Sequence, residues 1–353
     1  MNDMLRKGWT TGACATAASK AACLGLVTGA IPDQVTIALP GGLTPTFAIR
    51  HGLVVGDTAT AAVIKDAGDD PDVTHGAEIV VTLAFAPAGQ GIVFRAGEGV
   101  GTVTRPGLPL AISAPAINPG PRAMILRNLE TVRIPLPPDL SLTIGVTNGA
   151  DLARYTLNAR LGIIDGLSIL GTTGVVVPYS CSAWVASIHQ GVDVARAAGL
   201  SRIAGATGRT SEEAIRRLYD LPESALIDIG DFVGALLKYL RRHPVPRLTL
   251  AGGFAKLAKL AQGALDLHSG RSRLDLAHLA RLASENGASP SCVAILTAAD
   301  SAGQALAWAQ EAGIDLAGPV ARQARAVAAA VAGSAVCIDV ALFDRNGTLL
   351  ATG

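Results

Sequence analysis

Four aspartates and a histidine, Asp66, Asp69, Asp70, Asp72 and His75, fall within ten residues of the segment Lys65-Asp66-Ala67-Gly68-Asp69-Asp70-Pro71-Asp72-Val73-Thr74-His75-Gly76. Carboxylates this close cannot all be buried and ionised, so the loop is solvated, holds a cation or shares protons. Hard cations do take clustered oxygens. The spacing departs from a calcium-binding EF-hand loop, however, and Pro71 stiffens its centre. A polar turn whose Asp side chains bond to their own backbone is the competing reading of the same residues.

Three glycine-bearing segments could bind anions through backbone N–H groups. Gly171-Thr172-Thr173-Gly174 lets the chain approach a ligand closely, although a plain tight turn needs the same residues. Gly205-Ala206-Thr207-Gly208-Arg209-Thr210-Ser211-Glu212 follows an expected strand, and Thr210 or Ser211 could cap the helix after it. With Arg209 it suits a carboxylate or phosphate, or else it is a well-capped turn. Gly252-Gly253-Phe254-Ala255-Lys256 also follows a strand and opens a helix. Lys256 and Lys259 lie three apart on its face, either in solvent or sharing an anion. Asp228 ends a strand just before Gly230, where ribose-binding acids sit in open α/β sheets. His268 stands alone, and a polar surface role suits it better than metal ligation.

The elements that must position these residues differ between the two halves. In the first, apolar residues alternate at Val35-Ile37-Leu39, Phe47-Ile49, Ile79-Val81-Leu83-Phe85, Val132-Ile134-Leu136 and Leu142-Ile144-Val146. Period two with polar or small partners predicts half-buried, mostly antiparallel strands. One helix over residues 12–24, capped after Thr11, precedes them. In the second half, apolar runs end in glycine and lead into helices: residues 174–177, 202–205, 225–230 and 247–252. This is the form of a parallel, doubly wound sheet. The expected fold is therefore an α+β two-layer domain over residues 1–165 and an α/β, Rossmann-like domain over 166–334. Residues 335–353 read as a terminal hairpin turning at Asn346-Gly347, which either extends the second sheet or returns to the first.

Lys plus Arg number 29 against 28 Asp plus Glu, which argues against a duplex nucleic-acid binder. The five cysteines are widely spaced and include no C-x-x-C pair, so reduced thiols are expected rather than a disulfide framework or a zinc site. Thr10, Thr11, Ser19 and Lys20 interrupt the only stretch resembling a signal peptide. No run reaches the roughly 18 apolar residues of a membrane span. A soluble cytoplasmic protein without a bound metal is expected.

The acidic segment resembles the hallmark sequence of the CbiD family, cobalt-precorrin-5B C-1 methyltransferases. Arg6-Lys7-Gly8-Trp9-Thr10-Thr11-Gly12 resembles the family's opening motif. Gly97-Glu98-Gly99-Val100-Gly101-Thr102-Val103-Thr104, Pro106-Gly107-Leu108, Ala116-Ile117-Asn118-Pro119 and Pro121-Arg122 continue it. Thr156-Leu157-Asn158-Ala159-Arg160-Leu161-Gly162-Ile163 and Ser168-Ile169-Leu170-Gly171-Thr172-Thr173-Gly174 follow. Gly252 to Lys259 and Asp266-Leu267-His268-Ser269 complete a resemblance that runs in order over residues 5–275. Ala159 stands where the family has proline, Cys181-Ser182 follow Pro178-Tyr179-Ser180 where an acid is usual, and Arg95-Ala96 replace a second glycine.

The resemblance implies transfer of a methyl group from S-adenosylmethionine to ring carbon 1 of cobalt-precorrin-5B, giving cobalt-precorrin-6A. A methyl sulfonium is already a good electrophile, so such an enzyme mainly aligns donor and carbon and supplies a base as the conjugated ring rearranges. Asp69, Asp70, Asp72 and His75 are the candidates for the base or an orienting role. Arg160, Arg209, Lys256, Lys259 and His268 are the candidates for the macrocycle's carboxylates, in a cleft expected between the domains. Gly171, Thr172, Thr173, Gly174, Asp228 and Gly230 are the candidates for the adenosyl donor, although no G-x-G-x-G signature marks its site. Cobalt belongs to the substrate. Neighbouring enzymes of cobalamin synthesis and a second copy of the chain are the expected partners. A non-catalytic carrier of corrinoid intermediates is the alternative. A nicotinamide-linked enzyme is disfavoured because no G-x-G-x-x-G follows a strand.

Overall fold

The computed structural model describes residues 5–132 and 139–353. The chain forms two compact units, Met1–Ser180 and Cys181–Gly353. The first contains β1 (Gly8–Trp9), α1 (Thr11–Thr28), β2 (Gln34–Thr36), β3 (Thr46–Ala48), β4 (His51–Val55), β5 (Thr58–Ile64), β6 (Glu78–Phe85) and β7 (Ile92–Ala96). It continues with β8 (Thr102–Val103), α2 (Pro119–Leu129), β9 (Leu140–Val146), α3 (Gly149–Ala153), β10 (Ile163–Ile164) and β11 (Val175–Val176).

Five of these strands form one sheet in the order β4-β5-β6-β9-β7, antiparallel except for the β7–β9 pair. The alternation read from sequence is the burial pattern: Ile79, Val81 and Leu83 are fully buried, as are Leu140, Leu142 and Ile144. The residues between them face the other side of the pleat. Val35 and Phe47 pair in the separate β2–β3 hairpin. The strand expected across Val132-Ile134-Leu136 lies, for Ile134 and Leu136, outside the described residues.

Helix α1 packs on β5, β6 and α2. It is almost entirely small residues, and Ala13, Cys14, Ala17, Ala18, Ala21 and Ala22 are fully buried. Small side chains let a helix be enclosed on more than one face without a single polar stripe. The Thr10 side chain accepts from Ala13 N at its start, and Gly29, at φ 79°, ends it in the left-handed region that glycine adopts without strain.

The second unit contains α4 (Cys181–Ala197), β12 (Arg202–Ala206), α5 (Arg209–Tyr219), β13 (Leu226–Asp228), α6 (Val233–Leu240), β14 (Arg247–Gly253) and α7 (Phe254–Ala261). After these come α8 (Leu276–Glu285), α9 (Pro290–Thr297), α10 (Ala302–Glu311), α11 (Ala317–Ala332), β15 (Cys337–Phe343) and β16 (Leu349–Thr352). Its sheet has the order β13-β12-β14-β15-β16, parallel throughout except for the final pair. Ile203, Leu248, Leu250, Ile338, Val340 and Leu342 join one core cluster, which includes residues of α4, α6, α7 and α11. Their neighbours Ala204, Ala206, Ala251, Ala341 and Phe343 join another with Ala214 and Ile215 of α5. Successive strand residues point to opposite faces, so both faces of the sheet are covered.

Two details differ from the sequence reading, and one alternative it left open is decided. The units part after Ser180 rather than after residue 165, because β10 pairs with β8 and β11 with β1, tying residues 163–176 back to the first unit. The run at 174–177 is therefore an antiparallel strand and not the first parallel one. The terminal hairpin stays with the second unit, where β15 runs parallel to β14 over seven residue pairs. No helix among the described residues is long and apolar enough to cross a membrane.

The tight seat of α1 gives a direct expectation. Ala17→Leu inserts three carbons where no space exists and should lower stability by about 2 kcal/mol, read as a shifted urea midpoint.

Candidate functional sites

In the first unit the acidic segment is locked to the amino-terminal strand by backbone contact. Trp9 N donates to Asp66 O at 2.7 Å and Asp69 N to Arg6 O at 2.9 Å. A side chain at Gly8 would meet the Ala67 carbonyl carbon at 2.0 Å, and one at Gly68, at φ 70°, would meet Arg6 O at 2.1 Å. Only glycine permits this approach. The Arg6 guanidinium grips both oxygens of Asp66. That bond, helped by Gly68 N, holds the Asp66 carboxyl down at about 2.

Each of the four residues expected to act chemically carries a bond that shapes the loop. Asp69 Oδ2 accepts from Arg6 N at 2.6 Å, and Asp70 Oδ1 accepts from Tyr179 N at 2.8 Å. Asp72 accepts from Thr74 N and Oγ1 on one oxygen and pairs through the other with Lys65 Nζ at 2.7 Å. His75 Nδ1 accepts from Ala67 N at 3.1 Å, which places its proton on Nε2, and the ring is about half exposed. Burial pushes the Asp72 carboxyl up, but Lys65 and the Thr74 bonds outweigh it and hold it below the ordinary carboxylate value. The Lys65 side chain is only 1% exposed. The polar-turn reading and the chemical one thus share the same atoms, and the loop is rigid whichever role it plays.

Gly171-Thr172-Thr173-Gly174 lies beside the start of α1. Gly171, at φ 119°, has Thr10 Oγ1 where a Cβ would stand, and Gly174, at φ 81°, has Leu39 there. Thr173 Oγ1 bonds Val175, and Thr11 Oγ1 bonds both N and O of Leu170. Both glycines are therefore required by neighbours within the chain. Arg160 sits half-buried in the turn that follows Asn158, whose amide Nδ2 donates to Gly166 O at 3.1 Å.

The second unit holds a cavity of about 810 Å3. It is lined by Thr207 to Ser211, Gly253 to Lys256, Ser301 to Gly303, Leu306, Gln310, Phe343 to Arg345 and Leu350. Arg209 and Lys256 are the two sequence candidates among its walls. Arg209 is 91% exposed and paired with Glu213. Lys256 Nζ donates to Thr207 O at 2.7 Å and pairs with Asp231 at 3.2 Å, bracing the loops that end β12 and β13. Lys259 reaches a different loop, its Nζ donating to Leu267 O at 2.9 Å.

Asp228 and Gly230 stand outside the cavity walls. Asp228 Oδ1 accepts from Gly230 N at 3.2 Å, and Trp184 Nε1 donates to Asp228 O at 3.1 Å. His268 Nδ1 accepts from Gly270 N at 3.1 Å in a turn braced by the Asp266–Arg271 pair. Arg6, Lys65, Ser301, Phe343 and Arg345 are residues of these two regions that sequence reasoning passed over. The first two stood inside quoted motifs. The last three lie far along the chain, and only the fold brings them to the ends of β12 and β14.

A family model described as CbiD matches residues 1–178, and one described as CbiD, C-terminal domain, matches residues 266–353. A Bradyrhizobium sp. (strain BTAi1) protein named cobalt-precorrin-5B C(1)-methyltransferase is 55% identical over 353 residues, covering 99% of this chain and 94% of its own length. A Brucella anthropi protein of the same name is 53% identical, covering 98% and 95%. A crystal structure of cobalamin biosynthesis protein (cbiD) from Archaeoglobus fulgidus is 26% identical, covers 76% of this chain and 83% of that one, and gives a TM-score of 0.42.

Two expectations follow from the loop. Asp72→Ala strands the Lys65 ammonium in the core and should cost about 3 kcal/mol in urea unfolding, whereas Asp70→Asn should cost far less. Asp66 is lowered from 3.8 to about 2 in the folded chain, so its contribution is complete above pH 4 and is lost as pH falls from about 4 to about 2. Melting temperatures over that window should drop more steeply for the wild-type chain than for Asp66→Asn.

Proposed function

This chain belongs to the CbiD family, and we propose that it methylates ring carbon 1 of cobalt-precorrin-5B, with S-adenosylmethionine as the donor. The observation that carries this reading is the identity of 55% to a methyltransferase of that name over nearly the full length of both chains. The likeness includes both units, so it covers the acidic loop and the cavity alike.

The residues divide the work in a way that suits the reaction. The donor's sulfonium supplies an activated methyl group, and the chain has to bind, orient and exclude water. The loop around Asp69, Asp70, Asp72 and His75 is held from several directions, as a rigid orienting surface requires. Of these, His75 is proposed to orient the substrate by donating from Nε2, because Nδ1 already accepts from Ala67 N. Arg160 is proposed for an acetate or propionate carboxylate, since a guanidinium matches a carboxylate in two bonds, and Arg209, on the wall of the second unit's cavity, goes with that cavity instead. Lys256, Lys259 and His268 are better regarded as supports, given the carbonyls, carboxylates and turn amides they already engage. Thr172 and Thr173 belong with the loop that seats α1. The second unit's sheet is proposed to be of the doubly wound, dinucleotide-binding kind, and the protein to work in the cytoplasm, alone or with its own copies and neighbouring pathway enzymes.

The test is direct. Purified protein, S-adenosylmethionine and cobalt-precorrin-5B should yield a product heavier by one methyl group in mass spectrometry. His75→Ala should lower kcat by about a hundredfold, and because it leaves the buried Ala67 amide without its acceptor it should also lower the melting temperature by a few degrees. Unchanged substrate beside a competent control enzyme would remove the proposal.

A further inference from the structure

The sheet order of the second unit contains a reversal. From β12 the chain passes through α5 to β13 on one side, then returns past β12 to β14 and moves to β15 on the other. The connections leaving β12 and β14 therefore diverge, and a crevice opens at their carboxyl ends. The cavity lies there, with walls from Thr207, Gly208, Gly253 and Phe254.

Three glycines along this wall have no internal reason to be glycine. A Cβ at Gly208, Gly253 or Gly303 would meet nothing of the protein within 4 Å. Gly208 has φ 171° and Gly253 has φ −73°, both ordinary extended conformations. Gly171 and Gly174 differ, since each has a neighbour where its side chain would be. What the three open glycines preserve is the volume of the cavity itself.

The walls carry charges of both signs. Arg209 and Arg345 supply cations, Lys256 is already paired with Asp231, and Asp344 is the acidic member of the lining. Asp344 Oδ1 accepts from Asn346 N at 2.8 Å and Thr348 N at 2.7 Å. The Thr348 amide, with smaller help from Asn346, holds this carboxyl below its ordinary range, so it stays ionised. Phe254, Leu306 and Leu350 give apolar surface. Neither α5 nor α7 has a side-chain cap, so amides of their first turns remain for a ligand oxygen. A volume of about 810 Å3 falls within the range of small-ligand pockets.

We propose that this cavity, at the carboxyl ends of β12 and β14, is the binding site for the adenosyl methyl donor. The proposal rests on the methyltransferase reading above and assigns the donor to residues that no part of that reading required. A molecule bearing a carboxylate, a cationic centre and an apolar ring fits a lining with amides and guanidiniums, one carboxylate and an aromatic wall. A polycarboxylate macrocycle has no partner for Asp344. Gly208 and Gly253 thus take the place that Gly171, Gly174, Asp228 and Gly230 hold in the sequence reading.

The experiment fills the cavity without touching its polar groups. Gly253→Leu adds a side chain where backbone and neighbours accept one, so the melting temperature should stay at the wild-type value. Affinity for S-adenosylhomocysteine by calorimetry should fall at least about tenfold, while binding of cobyrinic acid, a carboxylated corrin, is kept. Gly208→Leu repeats the measurement if the first variant fails to fold. Wild-type affinity for S-adenosylhomocysteine in a folded, filled variant overturns the location, and so does loss of cobyrinic acid binding alone. If that happens while the wild-type chain still methylates its substrate, only the location falls. If the wild-type chain neither binds S-adenosylhomocysteine nor transfers methyl, the functional reading falls with it.

Discussion

An ammonium group with 1% of its side chain exposed can stay charged only beside a counter-ion, and in the first unit that requirement organises a sequence of contacts. Lys65 directly follows β5 and reaches Asp72, so the intervening residues must fold back over it. The fold-back brings Gly68 against Arg6 O and Ala67 against Gly8. Those approaches set the course of β1, which delivers Thr10 to cap α1. Thr10 in turn occupies the space beside Gly171. One buried charge is therefore linked, contact by contact, to the helix that fills the middle of the unit. Acidic residues that look like a cluster in the sequence are divided between Arg6, which holds Asp66 and Asp69, Tyr179, which holds Asp70, and Lys65 with Thr74, which hold Asp72.

The second unit solves a different problem. Its strands are short and parallel, so each must be covered on both faces, and alternating large aliphatic and alanine positions divide the two cores. The return of the chain past β12 leaves an unfilled crevice at one end of the sheet. Lys256 stabilises that end by bonding Thr207 O and Asp231 rather than by pointing a free charge into the opening. The cationic groups that do face it, Arg209 and Arg345, are long and exposed, which keeps their desolvation small.

The two units use glycine in opposite ways. At Gly8, Gly68, Gly171 and Gly174 a side chain would collide with backbone or a packed neighbour, and the residue is needed for the chain to close on itself. At Gly208, Gly253 and Gly303 a side chain would meet open space. In sequence nothing marks the two kinds of glycine apart. Their roles separate only when the surrounding atoms are present.

Period and composition were enough to determine most of the local order: alternating strands in the first half, strand–glycine–helix units from residue 202 in the second, a capped helix expected after Thr11 and found capped by Thr10, and a hairpin turning at Asn346-Gly347. These depend on interactions between residues a few positions apart, and such interactions are written in the spacing. The family motifs were equally legible, because they are strings of neighbouring residues. The partner of Lys65, the return of residues 163–176 to the first unit, the place of the terminal hairpin and the walls of the cavity were decided by tertiary structure. Each joins segments distant along the chain, such as Thr207, Ser301 and Arg345, and no local pattern records which distant backbone a residue will meet. The acidic loop shows the division most plainly: its residue types announced a concentration of charge, and only the fold determined which group each carboxylate would bond.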